Sequence, residues 1–271
     1  MKKLIAALAI AATVLLVAGF VYVLMFMEDT ENPPAGQSQS GGGSTSNARL
    51  NAPKAVETDA DVLDALDYYT QRNQDTVAWL RVPGTKINDP VLQSHDNFTY
   101  LRTDEFREYD LYGCYFADWE CSIGPRSVLS PNTVVYGHSD LTDQADGPRF
   151  SQLFHFADPE FAAATPVIHF STLEEQMTWE VFAVIYTNTS FSYIDAEPEG
   201  GAQALAQAAM EKSIYDYGVT VGEEDKILTL STCSVRDNPQ DRSQRFVVMA
   251  RLLPADAEVP QKATVTPRTP E

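Results

Sequence analysis

The sequence has little cysteine and little positive charge for its length of 271 residues. Its three cysteines are too few for a fold that depends on disulfide bonds. It has 19 Lys and Arg against 38 Asp and Glu, and the net charge of −19 disfavours nucleic-acid binding because phosphates are repelled. A hydrophobic content of 44%, with 10% aromatic residues, excludes a wholly disordered chain. The composition therefore indicates an acidic, folded protein that does not bind nucleic acid.

One long uncharged run begins the chain. Residues 4–27 contain no charged side chain, Lys2 and Lys3 precede them, and Glu28 and Asp29 follow. About 20 apolar residues span a bilayer, and basic flanks stay in the cytoplasm. We therefore expect residues 1–27 to be a transmembrane anchor of a single-pass cell-membrane protein, with the N-terminus inside and the rest of the chain extracytoplasmic. The alternative is a cleaved signal peptide, whose apolar region is usually shorter and is followed by a cleavage site.

Three further segments follow from composition. Residues 28–50 are rich in Gly, Ser, Pro and Gln, which predicts a flexible extracytoplasmic linker. Residues 51–254 carry the apolar periodicity of one folded domain. Residues 255–271 are rich in Thr, Pro and Glu, and we expect a disordered C-terminal tail.

The folded part is predicted to be mainly β, with added helices. Thr58 and Asp61 resemble a helix cap, and apolar residues at helical spacing after them predict a helix near 59–72. A second helix fits 202–213, before the strand that carries Cys233, and shorter helices fit 150–154 and 159–163. Short β-type runs separated by turn formers lie at 78–82, 87–92, 112–116, 133–136, 167–171, 178–187, 226–231 and 246–252. About eight strands with few helices predict a closed or nearly closed β-barrel.

Cys233 is the first candidate for chemistry. It ends the alternating run Lys226-Ile-Leu-Thr-Leu-Ser-Thr-Cys233, and a polar loop follows it. A strand end gives a thiol access to a substrate, although a free cysteine is more often a buried structural residue. A nucleophilic thiol also needs a lowered pKa or a nearby base, and a group that stabilises the oxyanion. Position alone leaves both interpretations open.

His138 is the best of the four histidines as a base. It closes the run Thr133-Val-Val-Tyr-Gly-His138 at a predicted strand end, and Gly137 allows close backbone approach. His155 and His169 fall within a predicted helix and a predicted strand, where packing roles are usual, and His95 lies in a polar loop.

Arg245 begins the strand after Cys233. If the two strands pair antiparallel through the loop between them, the end of the first lies beside the start of the second. The Arg245 guanidinium would then lie near Cys233 and could stabilise an oxyanion or hold a substrate carbonyl. The alternative is a solvent-exposed edge charge, and Arg236 and Arg242 in the loop compete for the role.

Together these residues carry a resemblance to a known family. The runs Thr229-Leu-Ser-Thr-Cys233 and Val135-Tyr-Gly-His138, with Arg245 beyond, resemble a sortase, a cysteine transpeptidase of the outer surface of Gram-positive bacteria. The stretch from Ala78 to Gln93, with Asn97 and Tyr100-Leu101 after it, and the helical insertion before the last strands resemble the class B branch. The resemblance spans about residues 60–253.

The resemblance implies a sortase-type β-barrel and a transpeptidase activity. Cys233 would cleave a C-terminal sorting signal, typically after a threonine, through a thioester acyl-enzyme. An amine of a peptidoglycan precursor or a pilin would then receive the cargo protein. His138 would be the general acid and base, Arg245 the oxyanion or positioning group, and Thr232 a substrate-binding residue. The resemblance implies no cofactor and no metal. Ser234 follows the cysteine where some class B members have Asp, so a catalytic role for a carboxylate at this position is doubtful.

Other interpretations remain at this point. One is a second kind of cell-wall cysteine peptidase, although the Ser-His-Gly-Cys run expected of it is absent from the sequence. Another is a non-catalytic surface binding barrel. Cys114 and Cys121 are compatible with a disulfide between them and with two free thiols, and we expect neither to be bonded to Cys233.

Overall fold

The described residues form a closed barrel. The computed structural model describes residues 48–49, 51–53 and 56–268. Eight strands close in the order β1-β2-β3-β4-β8-β9-β6-β5, and β7 and β10 form a separate two-stranded sheet. The strands are β1 (Thr76–Arg81), β2 (Asn88–Leu92), β3 (Tyr115–Ala117), β4 (Asn132–Tyr136), β5 (Val167–Thr172), β6 (Thr178–Asn188), β7 (Tyr215–Asp216), β8 (Ile227–Cys233), β9 (Gln244–Leu252) and β10 (Thr266–Pro267). The predicted fold class is confirmed, and each predicted strand corresponds to one barrel strand.

Strand directions decide which ends meet at one rim of the barrel. β4 pairs parallel with β8, and β2 pairs parallel with β3, whereas the other barrel pairs are antiparallel. The carboxyl ends of β4 and β8 therefore lie side by side. β9 runs antiparallel to β8, so its first residues lie at the same rim.

The alternating side chains of β9 build two cores. Phe246, Val248 and Ala250 belong to the barrel core, whereas Val247 and Met249 belong to a second cluster beneath a helix. That helix, which we number α3 (Gly201–Lys212), covers the outside of the barrel with its buried residues Ala202, Leu205, Ala206 and Ala209. Full burial of a Val, Leu or Met side chain contributes about 1.5–3 kcal/mol, so both faces of β9 stabilise the fold.

Two helices precede α3 in the described chain. α1 (Asp59–Thr70) begins with the expected cap, because the Thr58 hydroxyl accepts from the Asp61 backbone N–H and the Asp61 carboxylate accepts from the Thr58 backbone N–H. Its buried face packs on Trp79 of β1. α2 (Pro159–Ala164) follows a 3-10 helix at Arg149–Ala157. These elements lie where the sequence predicts helices.

Residues 255–268 follow a defined course, whereas the sequence predicts a disordered tail there. Thr266 and Pro267 pair with Asp216 and Tyr215 as β10 and β7. The backbone N–H of Ala263 donates to the Ala163 carbonyl, and Arg268 forms an ion pair with Asp216 at 2.6 Å. Backbone pairing of this kind is not visible in a composition. The predicted domain borders at residues 51 and 254 stay predictions.

The predicted single-pass location in the cell membrane is wrong for the described part of the chain. None of the helices found there is long and apolar enough to cross a membrane. α1 and α3 have 12 residues each, a rise of about 18 Å against a hydrocarbon core of about 30 Å. Residues 4–27, to which the sequence assigns the anchor, and most of the predicted linker lie outside the described residues.

Candidate active site

Cys233 and Arg245 face each other across two paired strands. Cys233 is the last residue of β8, and its partner in the antiparallel register is Arg245, the second residue of β9. The proximity expected if these strands pair antiparallel is therefore observed. The loop that joins them is tied together by the Gln244 side chain, whose carbonyl oxygen accepts from the backbone N–H of Asp237 at 2.8 Å.

The parallel pairing of β4 and β8 brings His138 to the same rim. Tyr136 is the register partner of Ser231, and the backbone N–H of Gly137 donates to the Ser231 carbonyl at 3.3 Å. One residue beyond His138, the Ser139 hydroxyl donates to the Cys233 carbonyl at 2.8 Å. His138 thus leaves β4 beside the end of the strand that carries Cys233.

Gly137 lets the backbone before His138 pass close to two aromatic rings. A Cβ at this position would come within 2.8 Å of the Phe150 ring and 2.9 Å of the Tyr115 ring, so a larger residue would force these buried aromatics to move. The backbone N–H of Phe150 donates to the His138 carbonyl at 2.8 Å. The aromatic core therefore fixes the backbone on both sides of the imidazole.

A cleft of about 210 Å³ opens at this rim. It is lined by His138, Thr232, Cys233 and Arg245, so it brings together the four residues that the sequence singles out. The other lining residues are Asn97, Leu101, Phe116, Tyr136, Gly137 and Ser231. Asn97 and Leu101 lie in the class B stretch, and Tyr136, Gly137 and Ser231 lie in the two motif runs, whereas Phe116 gave no signal in the sequence.

The His138 imidazole is half-buried and lies beside a positive charge. Its Nε2 lies 2.8 Å from Nη1 of Arg102 and 2.9 Å from the Leu101 carbonyl oxygen. Burial lowers the pKa of His138, the Arg102 charge lowers it further, and the Leu101 carbonyl acts in the opposite direction. The ring is therefore held in its neutral form more strongly than an imidazole in water.

Of the three arginines considered, Arg245 is the one that lines the cleft. Its Nη1 donates to the carbonyls of Arg242 and Gln244 at 2.8 and 2.9 Å, which leaves its other N–H groups for a ligand. Arg236 instead stacks on Tyr186, with 3.7 Å from its guanidinium carbon to the ring centroid, and pairs with Asp237. Neither Arg236 nor Arg242 lines the cleft.

Thr232 carries a buried hydroxyl without a partner. The residue is 3% exposed, and its Oγ1 has no hydrogen-bond partner among the described residues. Buried polar groups usually have a partner, so an orphaned hydroxyl in the lining of a cleft is consistent with a ligand contact. The residue after Cys233, Ser234, donates its hydroxyl to the Asp143 carboxylate at 2.6 Å.

The chain is similar to known proteins of one family. A family model described as the sortase domain matches residues 80–253. Sortase B of Listeria monocytogenes is 33% identical over 215 residues, which cover 75% of this chain and 83% of that protein. The chain belongs to the sortase family.

Solved sortase structures agree with this assignment. The Staphylococcus aureus sortase B–substrate complex superposes with a TM-score of 0.62 at 28% identity and covers 72% of this chain and 87% of its own. A sortase B complexed with triglycine has a TM-score of 0.61 at 26% identity and covers 78% of this chain and 92% of its own. The class B resemblance is therefore confirmed. Sortases are cysteine transpeptidases, and this chain is an enzyme of that class. The binding barrel and the other cell-wall peptidase are not favoured.

The three cysteines of this sortase occupy two kinds of environment. All are free thiols, and Cys233 is partly exposed, whereas Cys114 and Cys121 are buried. Burial raises the pKa of Cys114 well above its usual value and that of Cys121 to about 12. A thiol with so high a pKa is not a nucleophile near neutral pH, so only Cys233 among the three suits the chemistry. The described residues contain no group of His, Cys, Asp and Glu arranged to hold a metal ion.

Proposed function

We propose that Cys233 is the nucleophile of this transpeptidase, His138 its general acid and base, and Arg245 its oxyanion-stabilising group. The observation that supports the proposal is the shared cleft, in which the thiol, the imidazole and the guanidinium meet from the ends of three strands. A cysteine with a base and a cationic hydrogen-bond donor in one cleft is the arrangement that acyl transfer requires.

The first step forms the acyl-enzyme. Neutral His138 first takes the proton of the Cys233 thiol and becomes the imidazolium. The Cys233 thiolate then attacks the scissile carbonyl of the sorting signal and creates a tetrahedral oxyanion, toward which Arg245 directs N–H groups. The carbon–nitrogen bond then breaks, and the leaving amine takes a proton from the His138 imidazolium. The cargo remains attached to Cys233 as a thioester.

The second step transfers the cargo. An acceptor amine attacks the thioester carbonyl and loses a proton to neutral His138, and Cys233 leaves as the thiolate. The new amide bond replaces the one that was cleaved, so the reaction consumes no external energy source. The division into two acyl transfers replaces a direct amide exchange with two steps of lower barrier.

Thr232 contributes by orienting the substrate. Its unpartnered hydroxyl lies one residue before Cys233 in the lining of the cleft. A substrate carbonyl or hydroxyl that reached this group would satisfy a buried polar atom, which is worth about 0.5–1.5 kcal/mol for a neutral hydrogen bond.

The substrate class is a secreted protein with a C-terminal sorting signal, and the acceptor is an amine. The Staphylococcus aureus relative is a complex with a substrate, and another sortase B structure contains triglycine. For this chain we propose a sorting-signal peptide as acyl donor and an amine of a peptidoglycan precursor or a pilin as acceptor.

A peptide assay with matched cysteine variants tests this function. The full-length protein is incubated with a set of quenched sorting peptides, with and without an amine acceptor. We expect Cys233→Ala to abolish both cleavage and the amine-linked product, because no other group supplies the nucleophile. Cys114→Ala removes a buried thiol outside the cleft and should keep the activity. Undiminished transpeptidation by Cys233→Ala would refute the assignment.

A further inference from the structure

Arg102 contacts the imidazole that the proposed mechanism uses as acid and base. This arginine is exposed and follows Leu101, which lines the cleft. Its Nη1 lies 2.8 Å from His138 Nε2, 2.8 Å from the Leu111 carbonyl oxygen and 3.1 Å from the Leu101 carbonyl oxygen. The ring nitrogen and the two carbonyls compete for the two hydrogens of this Nη1, so one hydrogen is shared between two acceptors.

The contact bears on the protonation state of the imidazole. A guanidinium has only N–H donors, so Nε2 of His138 must accept if it is hydrogen-bonded to Arg102, and the neutral ring then carries its proton on Nδ1. The Leu101 carbonyl oxygen, 2.9 Å from the same Nε2, favours the opposite tautomer. The hydrogen bond from the charged guanidinium is the stronger of the two. A protonated ring has N–H donors at both nitrogens and cannot accept from Arg102. Protonation of His138 and the hydrogen bond from Arg102 are therefore mutually exclusive.

The ring is also not engaged with the thiol in this arrangement. Across the described residues no hydrogen bond joins the Cys233 thiol to His138. The Nε2 atom of His138 instead contacts the Arg102 guanidinium and the Leu101 carbonyl oxygen. An imidazole that protonates a leaving amine must leave this position first.

We propose that Arg102 is a positioning residue that holds His138 in the free enzyme as the neutral Nδ1–H tautomer, and that the catalytic cycle must release this contact. The inference rests on the proposed role of His138. Its geometric part, the tautomer and the charge of the ring, is measurable whether or not His138 acts in catalysis.

The charged groups around the ring are few. Arg102 approaches from the loop after Leu101, while Cys233 at the end of β8 and Arg245 at the start of β9 line the same cleft. Asp140, two residues after His138, is engaged by Thr142 and by Ser151 instead. The burial of the ring and the Arg102 charge both lower the pKa of His138.

NMR of the His138 ring nitrogens tests the proposal directly. In the full-length protein we expect the Nδ1–H tautomer at high pH. Arg102→Gln should shift the ring toward the Nε2–H tautomer, for which the Leu101 carbonyl is an acceptor at 2.9 Å. It should also raise the imidazolium fraction at neutral pH about two- to fivefold, the effect of removing one exposed charge at contact distance. Arg102→Lys keeps the positive charge but not the guanidinium. It should therefore change the His138 tautomer ratio more than the pH at which the His138 ring titrates.

Arg107→Gln is the matched control. It removes the same charge from the same loop, but its guanidinium binds Asn73 and Asp75 rather than His138. The His138 titration should stay at its parent position in this variant. An unchanged tautomer and an unchanged titration in Arg102→Gln would overturn the proposal.

Kinetics separates this proposal from the catalytic assignment. The acid limb of kcat/KM against pH reports the first essential deprotonation of the free enzyme, and it should move to higher pH in Arg102→Gln and remain near the parent position in Arg102→Lys. Full activity of His138→Ala would refute the catalytic role of His138, while the NMR result would still decide the role of Arg102. A titration that shifts without any change in the acid limb would show that Arg102 does not act on catalysis through His138.

Discussion

Two histidines of this sortase lie beside arginines on opposite sides of the barrel. His138 follows β4 and contacts Arg102, whereas His169 lies within β5 and is the register partner of Arg81 on β1. In the closed barrel order, β1, β2 and β3 separate β4 from β5 on one side, and β8, β9 and β6 separate them on the other. Burial lowers the pKa of both imidazoles, and the neighbouring arginine lowers it further, for His169 to about 4.

The difference between the two histidines lies in their other neighbours. His138 shares its cleft with Cys233 and Arg245. His169 also lines a cavity, but that cavity has no cysteine, and its polar lining includes Thr58, Asp59 and Ser171. A buried imidazole beside an arginine is therefore not by itself a sign of catalysis. The proposed nucleophile in the same cleft is what distinguishes His138 from His169.

The largest expected effect comes from exchanging each histidine in turn. His138→Asn should lower kcat/KM for sorting-peptide transpeptidation by about 10²–10⁴-fold, because the leaving amine loses its proton donor. His169→Asn should leave kcat/KM within about twofold, since the cavity around it contains no reacting group. The assay is peptide cleavage with an amine acceptor near neutral pH. Equal losses of kcat/KM in the two variants would contradict the assignment of His138 rather than His169 to catalysis.

Arg245 provides a second, smaller test. Arg245→Gln should lower kcat by about 10²–10³-fold, the range measured for loss of one oxyanion-hole donor. The matched control is Arg251→Gln on the same strand, whose guanidinium binds Glu180 at 2.7 and 3.0 Å, away from the cleft. The control variant should lose stability rather than kcat. A parent-like kcat in Arg245→Gln would remove this residue from the mechanism.

The smallest effect concerns His169 and the stability of the fold. Its pKa is about 4 in the folded protein, and an unfolded histidine has a pKa near 6.5. The unfolded state therefore binds more protons between pH 6.5 and 4, so the stability falls as the pH decreases through this range. We expect about 1–2 kcal/mol from this group, discounted for its partial exposure to solvent. Urea unfolding of His169→Asn should show a flatter pH dependence, and an unaltered slope would contradict the expectation.

The sequence predicts those parts of the site that depend on local pairing. If consecutive strands pair antiparallel through the loop between them, Cys233 and Arg245 lie side by side, and the observed register pairs these two residues. The eight strands are predictable because short β-type runs are separated by turn-forming residues. The strand ends at Cys233 and His138 were visible for the same reason.

Long-range pairing could not be predicted in this way. The parallel pairing of β4 with β8 brings His138 to the same rim as Cys233. These two strands lie far apart in the chain and have no connecting turn that specifies the register. Arg102 stands in a polar loop whose sequence gives no sign of a contact with His138. The pairing of β10 with β7 was hidden for a similar reason, because a two-residue strand has no detectable periodicity.

The most direct measurement is the location of the acyl group during turnover. The protein is mixed with a cleavable sorting peptide without an amine acceptor, quenched in acid and analysed by mass spectrometry of the intact chain and of its proteolytic peptides. We expect one adduct with the mass of the acyl fragment, sensitive to hydroxylamine and located on Cys233, and none on Cys114 or Cys121. Turnover with the acyl group on another residue, or continued turnover by Cys233→Ala, would contradict the central claim that Cys233 is the nucleophile.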